Sequence, residues 1–374
     1  MKQTMHRTRN TTATIVTIVL VCVALVFLDM NKSHYGMAVS ILQKAVIYSV
    51  VAVSMNLLNG FTGLFSLGQA GFMALGAYTT AMLTIPVTNR ASVYYISGIN
   101  PVLEKLSLPF PLALIAGGLV AALFAVLIGG PVLRLKSDYL AIATLGFAEI
   151  IRALIAAPQM DTITNGSYGL KMIPTFAHLI VPFAIAAVCI LVMVLMLNSS
   201  YGRAFKAIRE DEIAAEAMGI NLFRTKLMSF VTSSFFAGVG GGMLAMYMSS
   251  IDSGTFKVNI TYDILLIVVL GGMGSVTGSI LGSFLVVASK DWWLRFFDDP
   301  LTIMGVNIPL FRTGFRMVIF SILLMAIVLF YRRGIMGTRE FTWDGFFTFF
   351  QNLPGKLKHL KTALGKKKGG GRNG

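Results

Sequence analysis

The chain has 374 residues, of which 56% are hydrophobic and 13% are charged, whereas roughly 25% of the residues of ordinary soluble domains are charged. Because the apolar residues form long unbroken runs separated by short polar loops, this composition excludes a soluble enzyme. The net charge is +15, and ten lysines and arginines but only two acidic residues fall from residue 332 onward. Beside membrane spans such an excess marks the cytoplasmic side rather than a nucleic-acid site.

The first apolar run, 13–28, follows the basic residues Lys2, Arg7 and Arg9, which is the outline of a secretory signal peptide. No small-x-small cleavage triplet follows the run directly, and the nearest one, 38–40, lies about ten residues further on. We therefore favour an uncleaved membrane helix over a signal peptide. This helix places the amino terminus in the cytoplasm.

Eight further apolar runs follow, and most of them approach the roughly 20 residues that cross a bilayer. They cover residues 38–58, 64–85, 111–133, 139–157, 174–197, 227–249, 264–288 and 315–331. Simple alternation places Arg134, Lys136 and the polar segment 198–226 on the cytoplasmic side, in agreement with the positive-inside rule. The predicted fold is an all-α, polytopic integral membrane protein with about 8–10 transmembrane helices, including one or two broken or re-entrant Gly-rich segments.

Nine simple crossings would leave the basic C-terminal tail outside the cell, so one run must turn back. Run 264–288 is the candidate, because its glycines let a helix break into two short helices or a re-entrant hairpin. These glycines are Gly271, Gly272, Gly274 and Gly278. A second Gly-rich stretch, 60–78, lies in the first half of the chain, and paired interrupted segments are typical of internally repeated transporters. Close helix packing through small residues is the alternative, and both interpretations stay open.

The one long intracellular loop between runs, 198–226, predicts a short helix over 203–218 that ends at Gly219. Its mixed charges suit solvent, whereas Phe205, Ile208 and Met218 give it a partial apolar side, which indicates a protein partner. The alternative is an amphipathic helix on the lipid headgroups, but such a helix would favour basic rather than mixed charge.

Several motifs are similar, in the same order, to those of LivM-type permease subunits of bacterial ABC importers for branched-chain amino acids. The motif of the coupling loop is GRAFKAIREDEIAAEAMGIN at 202–221. The others are LNGFTGLFSLGQAGFMALGAY at 58–78, SDYLAIATLGFAEIIR at 137–152, TNGSYGLKMIP at 164–174, LGGMGSVTGSILG at 270–282 and RMVIFSILLMAIVLFYRRGIMG at 316–337. The resemblance covers about residues 40–340 and does not include the tail from about 341.

The resemblance implies a transmembrane permease domain over 1–340, with a coupling helix at about 203–218, and a basic cytoplasmic tail over 341–374. It also implies a LivH-type sister permease, two cytoplasmic ABC ATPases and an extracytoplasmic substrate-binding protein. The complex would lie in a bacterial plasma membrane, with both termini of this chain in the cytoplasm. The coupling helix would dock on an ATPase, and the residues assigned to this coupling are Gly202, Arg203, Phe205, Ile208, Arg209, Glu210, Asp211, Glu212 and Gly219.

The energy for transport would come from the partner subunits, because the chain has no G-x-x-x-x-G-K-[ST] motif, and no cofactor is expected in it. The cysteines Cys22 and Cys189 and four scattered histidines offer neither a metal site nor a nucleophile, so we expect no enzymatic activity. An ion-coupled secondary transporter would need ionisable residues within its spans, and these are scarce. Lys44 is predicted to snorkel to the surface and Glu149 to pair with Arg152.

Importers of urea or short-chain amides stay open as an alternative, because their permeases resemble the same segments. A zwitterionic substrate needs polar partners along its path, and the candidates are Ser66, Gln69, Thr144, Asn165 and Ser167. Two positions depart from the family pattern. Many relatives have histidine where this chain has Gln69, and the family often has proline where this chain has Arg333. The tail combines aromatic residues with lysines, which predicts a portion lying on anionic lipid and a disordered glycine-rich end.

Overall fold

Helices make up almost all of the chain described by this computed structural model, which comprises residues 2–95, 98–135, 137–294, 302–303, 306–307, 318–322, 325, 329, 334–337 and 339–340. In chain order the helices are α1 (Lys2–Met30), α2 (Lys32–Asn56), α3 (Gln69–Thr84), α4 (Val87–Val93), α5 (Pro101–Lys105), α6 (Phe110–Val132), α7 (Ser137–Ile155), α8 (Asp161–Thr164), α9 (Ile180–Asn198), α10 (Ser200–Glu210), α11 (Glu212–Ala217), α12 (Leu222–Met248), α13 (Val258–Gly271) and α14 (Val276–Asp291). A π-helical turn, Leu57–Phe61, continues α2, and 3-10 turns at Pro158–Met160 and Gly166–Tyr168 flank α8. The strands β1 (Thr302–Ile303) and β2 (Val306–Asn307) form a short antiparallel pair.

Within the described residues, five helices are long and apolar enough to cross a membrane: α1 from Thr12, α2 with its π turn, α6, α9 and α12. A sixth candidate is α7, from Tyr139, joined to Pro158–Thr164 across a bend of 61°. More spans were predicted from the sequence, because the apolar runs that contain α3, α13 and α14 were each taken as a span. In the structure these three helices have only 16, 14 and 16 residues. At 1.5 Å per residue these helices reach about 21–24 Å, short of a hydrocarbon core of about 30 Å. The predicted span 315–331 lies mostly outside the described residues.

Helix α12 packs against α3 and α6 in the compact unit Val26–Arg339, while the start of α1 belongs to a second unit. The helices approach closely because glycines lie at their contacts. A Cβ on Gly76 would overlap the carbonyl of Gly238, and a Cβ on Gly241 would overlap the carbonyl of Met73. The packing interpretation of the small residues is therefore confirmed for these helices.

A buried arginine ties the end of α3 to the segment around α4 and α5. Arg90 is 2% exposed, and its guanidinium donates to the backbone carbonyls of Met82, Ile85, Leu103, Glu104 and Leu106. A cation is favoured there because the last carbonyls of α3 carry the negative end of the helix dipole. Nearby, the Tyr94 hydroxyl donates to the carbonyl of Ile163 at 2.7 Å, and burial raises the pKa of Tyr94 to about 12.

Two predicted helices are interrupted in the structure. Run 64–85 is not one continuous helix, because residues 62–68, within the predicted Gly-rich stretch 60–78, are not helical and Gly63 takes a positive φ of 77°. The prediction of a single helix over 203–218 is also wrong, because the extended backbone of Asp211 separates α10 from α11. Aspartate favours a cap over a helix interior, since its carboxylate binds free backbone N–H groups. The predicted tail, 341–374, lies outside the described residues.

Candidate functional site

The helix pair α10–α11 is fixed by side-chain caps. Ser199 Oγ accepts a hydrogen bond at 3.2 Å from the amide two residues later, at the start of α10. Asp211 Oδ1 accepts from the amides of Ile213 and Ala214 at 2.8 and 3.1 Å, at the start of α11. Gly219 ends the pair at a φ of +84°, as its predicted role as a helix terminator requires. The two short helices therefore have well-defined ends.

One face of this helix pair is buried within the chain itself. Phe205 is 0% and Ile208 2% exposed, and a Cβ on Gly202 would overlap a backbone carbonyl at the end of α9. By contrast, Ile213 and Met218 are 81% and 85% exposed. The predicted apolar side of Phe205, Ile208 and Met218 is thus divided: Phe205 and Ile208 pack against the bundle, whereas Met218, like Ile213, is exposed.

The charged residues of the helix pair also point in two directions. Arg209 Nη1 donates to the carbonyl of Gly60 at 2.9 Å, and the same guanidinium forms an ion pair with Glu210. Glu212 forms an ion pair with Lys226 of α12 at 2.6 Å. The predicted coupling residues with exposed side chains are Arg203, Arg209, Glu210, Asp211 and Glu212. Of these five described side chains, only that of Arg209 forms a hydrogen bond with the π turn at the end of α2.

The predicted break in run 264–288 is confirmed, since residues 272–275 separate α13 from α14. Gly272 and Gly274 have φ values of +116° and +90°, which glycine adopts without the strain of a side chain. A Cβ on Gly271 would overlap the carbonyl of Gly278. Helices α13 and α14 therefore form a closely packed hairpin, and residues 272–275 are its tip.

Asn56, fully buried at the end of α2, holds this hairpin tip. Its Oδ1 accepts from the amide of Gly274 at 2.8 Å, and its Nδ2 donates to the carbonyl of Ser275 at 2.8 Å and to Ser279 Oγ at 2.7 Å. Backbone groups at a helix break in a membrane need such partners, because no water replaces them. The contacts of Asn56 were not predicted, although an asparagine within an apolar run is itself a signal of a buried polar contact.

Residues 334–337 supply a second set of partners for the hairpin. The amides of Ile335 and Met336 donate to the carbonyls of Leu270 and Gly271 at 2.8 and 3.1 Å. These carbonyls end α13 and have no acceptor role within the helix. This segment therefore caps α13, whereas Arg333, at which the sequence departs from the family pattern, lies outside the described residues.

Three of the five predicted pathway residues gather before and at the start of α3. Ser66, Gln69 and Thr144 are each at most 2% exposed. Thr144 Oγ1 accepts from the amide of the residue after Ser66 at 3.0 Å, and the Ser66 amide donates to Asn59 Oδ1 at 3.1 Å. Gln69 Nε2 donates to Ser233 Oγ of α12 at 2.9 Å. These side chains form one buried polar cluster around the non-helical segment 62–68.

The other two predicted pathway residues, Asn165 and Ser167, lie in a different loop. Asn165 takes a φ of +58°, and its Nδ2 donates to the carbonyls of Gly169 and Val93 at 2.7 and 3.1 Å. Ser167 is exposed. Asn165 therefore shapes the turn after α8, and the structure does not bring these two residues together with the cluster at α3.

Two ion pairs that sequence analysis missed link α2 with the hairpin and the hairpin helices with each other. Lys44 Nζ lies 2.7 Å from Asp291, and Lys290 Nζ lies 2.6 Å from Asp263. Together with Tyr48 these residues line a cavity of about 60 Å³. The prediction that Lys44 snorkels stays a prediction, and the structure adds an anionic partner for its ammonium, with both side chains about a quarter exposed. Its partner is 247 residues away in sequence, so no local pattern indicated the pair.

The predicted pair of Glu149 with Arg152 is confirmed at 2.7 Å. Among the described residues, no three histidine, cysteine or acidic side chains gather closely enough to hold a metal ion. The chemistry that the described site offers is thus hydrogen bonding, ion pairing and apolar contact.

Comparisons with known proteins agree with the sequence motifs. Residues 37–328 match the family described as "Branched-chain amino acid transport system / permease component". The high-affinity branched-chain amino acid transport system permease protein LivM of Salmonella typhimurium strain LT2 is 32% identical over 302 residues, which cover 72% of this chain and 66% of that protein. LivM of Escherichia coli strain K12 is 33% identical over 301 residues, which cover 71% of this chain and 66% of that protein.

A probable branched-chain amino acid transport permease protein LivH, from Methanocaldococcus jannaschii, is 25% identical over 274 residues, covering 67% of this chain and 79% of that protein. No solved structure matches the chain. The chain spans just under two thirds of the length of the two LivM proteins.

Proposed function

The chain belongs to the family of branched-chain amino-acid transport permease components, and from this membership we propose that it is the LivM-type transmembrane subunit of a binding-protein-dependent ABC importer. The proposed substrates are leucine, isoleucine and valine, and the proposed location is a bacterial plasma membrane. As partners we propose a LivH-type sister permease, two cytoplasmic ABC ATPases and an extracytoplasmic substrate-binding protein. The ATPases would hydrolyse the ATP, since the chain has no G-x-x-x-x-G-K-[ST] motif of its own.

The observation that carries this proposal is the helix pair α10–α11, which connects α9 with α12. Its inner face is buried in the bundle, while Ile213 and Met218 leave apolar surface exposed beside charged residues. Exposed apolar residues with a charged rim suit a groove on a partner protein. Capped helices with one buried face move as a unit, which is what an ATP-driven partner needs in order to push on the membrane helices.

Basic residues support a cytoplasmic position for the helix pair. Arg134, which follows α6, lies over the ring of Phe223 near the start of α12, with its guanidinium carbon 5.8 Å from the ring centroid. The polar ends of α6 and α12 are therefore neighbours, and the basic residues of 198–226 belong to the same side. By the positive-inside rule this side is cytoplasmic. A hairpin α13–α14 that turns back then leaves both termini in the cytoplasm.

The test is ATP-dependent uptake of labelled leucine and of labelled urea by cells with and without this chain, in the presence of its sister permease, ATPases and binding protein. We expect leucine uptake to be lost with the chain and urea uptake to be unaffected. The reverse result would move the assignment to an importer of urea or short-chain amides. Uptake that an ionophore abolishes and ATP depletion does not would contradict the ABC mechanism.

A further inference from the structure

The C-terminal end of α2 lies between the helix pair α10–α11 and the tip of the α13–α14 hairpin. This end is the π-helical turn 57–61, a rare conformation that is frequent at functional sites. Like any helix C-terminus, it carries a partial negative charge and presents carbonyls that need partners outside the helix; Leu57 and Leu58 find theirs in Thr62 Oγ1 and the amide of Leu64. The groups that satisfy these carbonyls therefore determine which elements move together with α2.

On the side of the helix pair, cations face this turn. Arg209 Nη1 donates to the carbonyl of Gly60 at 2.9 Å, and Lys206 Nζ lies 5.7 Å from the centroid of the Phe61 ring. Gly63 leaves room for the arginine, since a Cβ there would lie 2.9 Å from Arg209 Cγ. A charge-assisted hydrogen bond at a helix C-terminus is among the stronger contacts that a single side chain makes.

On the side of the hairpin, the backbone of the same turn packs closely against the tip, next to the Asn56 side chain. A Cβ on Gly60 would lie 2.5 Å from the amide nitrogen of Gly274 and would overlap Asn56 Oδ1. Asn56 is four residues before Gly60, so the two lie on one face of the helix. Its amide side chain binds Gly274, Ser275 and Ser279. The backbone of Gly60 and the side chain of Asn56 thus contact the tip at adjacent points.

We propose that Arg209, Gly60 and Asn56 form a relay that passes movement of α10–α11 to the hairpin tip. Hydrogen bonds weaken steeply with distance and angle, and a close-packed contact has no slack to absorb a displacement. A shift of α10 therefore either breaks the Arg209 contact or carries residues 57–61 with it, and the tip follows. The source of the movement rests on the proposed function, since the ATPases would supply it. Arg209 and Asn56 are positioning residues in this relay.

Hydrogen exchange of the full chain tests the structural link without any assay of transport. Arg209→Gln removes the long guanidinium that reaches Gly60, and Arg209 has no described contact with the hairpin. The relay predicts that the amides of residues 272–279 exchange about tenfold faster in this variant, as expected when a charge-assisted hydrogen bond that holds them indirectly is lost. Arg209→Lys retains a cation at the helix end and should restore part of the protection.

Arg224→Gln is the matched control, because Arg224 is an exposed arginine at the start of α12. We expect its exchange at 272–279 to equal that of the unchanged protein. Asn56→Ser, which withdraws the side chain from the tip directly, should speed the same amides. Equal exchange in the Arg209→Gln and Arg224→Gln variants would overturn the relay.

The second measurement is the amount of leucine that the assembled importer transports per ATP hydrolysed. With the ATPases still bound, Arg209→Gln should lower the leucine transported per ATP hydrolysed by about fivefold, as loss of roughly one such contact allows. Loss of the ATPases from the Arg209→Gln complex would overturn the relay, because Arg209 would then be a docking contact. If the importer without any substitution takes up no leucine, the proposed function is contradicted. The hydrogen-exchange comparison still decides whether the relay exists.

Discussion

At the scale of single residues, several buried polar side chains pair with backbone groups at the ends and breaks of helices. Asn56 does so at the hairpin tip and Arg90 at the end of α3. Ser233 accepts from Gln69 and donates to the carbonyl of Ser54. An unpaired backbone group in a membrane interior is costly because no water can replace its partner. These side chains are therefore requirements of the fold, even where they lie far from any substrate.

Replacement of Arg90 by lysine should lower the stability of the protein. The guanidinium supplies up to five donors in a fixed fork, whereas an ammonium supplies three from a single point, so some of the five carbonyls lose their donor. We expect a loss of about 2–4 kcal/mol in the free energy of unfolding. The measurement is the midpoint temperature of unfolding in detergent, with Arg224→Lys at an exposed site as the control. Equal midpoints for the two variants would count against the role of Arg90.

At the scale of elements, the glycine pattern predicted where a span breaks but not what holds the break. Asn56 and Gly274 are 218 residues apart in sequence, and helical periodicity carries no information about such a pairing. The single helix expected over 203–218 failed for a different reason: residue composition favours a helix there, but it does not show that Asp211 turns to cap α11. Hydrophobic periodicity indicates neither long-range pairing nor local competition for backbone N–H groups.

The polar residues proposed along a pathway show the same limit. Sequence indicated polarity within apolar runs, and this located Ser66, Gln69 and Thr144, which the structure brings together. Polarity alone did not distinguish them from Asn165, whose side chain closes a turn. The direction of each side chain depends on the packing of helices that are distant in sequence.

The ion pair between Lys44 and Asp291 should contribute to the stability of the hairpin. Asp291→Asn leaves Lys44 without its anionic partner, and because both side chains keep about a quarter of their surface exposed, we expect a loss of about 1–2 kcal/mol. The double variant Lys44→Asp, Asp291→Lys restores opposite charges and should recover most of this loss. Unfolding by titration with a denaturing detergent measures both. A double variant as unstable as Asp291→Asn would exclude a direct pairing energy.

At the scale of the whole molecule, the helix pair α10–α11 is the structured connection between α9 and α12, and its exposed residues determine what can bind there. Phe205 and Ile208 pack the pair against the bundle, so its exposed apolar surface lies on Ile213 and Met218, beside charged residues. Any force on this surface reaches α9 and α12 at once, since the pair is continuous with both.

Truncation of the exposed tip should weaken binding of the ATPases. Ile213→Ala removes apolar surface from a residue that is 81% exposed, and we expect about tenfold weaker binding, typical of a central interface residue. The measurement is retention of the ATPases on the purified importer at graded salt. Leu123→Ala is the control, because Leu123 is an exposed aliphatic residue of α6, 60% accessible, away from the helix pair. Equal retention in the two variants would remove Ile213 from the dock.

Thiol labelling tests the orientation of the molecule. In a background with both natural cysteines replaced by serine, Tyr168→Cys should react with a membrane-impermeant reagent on intact cells, because residue 168 is exposed in the loop after α8. Ile213→Cys should react only after the membrane is permeabilised. Labelling of position 213 on intact cells would reverse the proposed topology.

The cap that Ile335 and Met336 place on α13 also has a consequence for synthesis of the chain. The hairpin α13–α14 leaves the ribosome well before these residues, so the carbonyls of Leu270 and Gly271 wait for their donors during synthesis. Unpaired carbonyls resist burial in lipid, so we expect the tip to reach its final packing only after translation has passed residue 336.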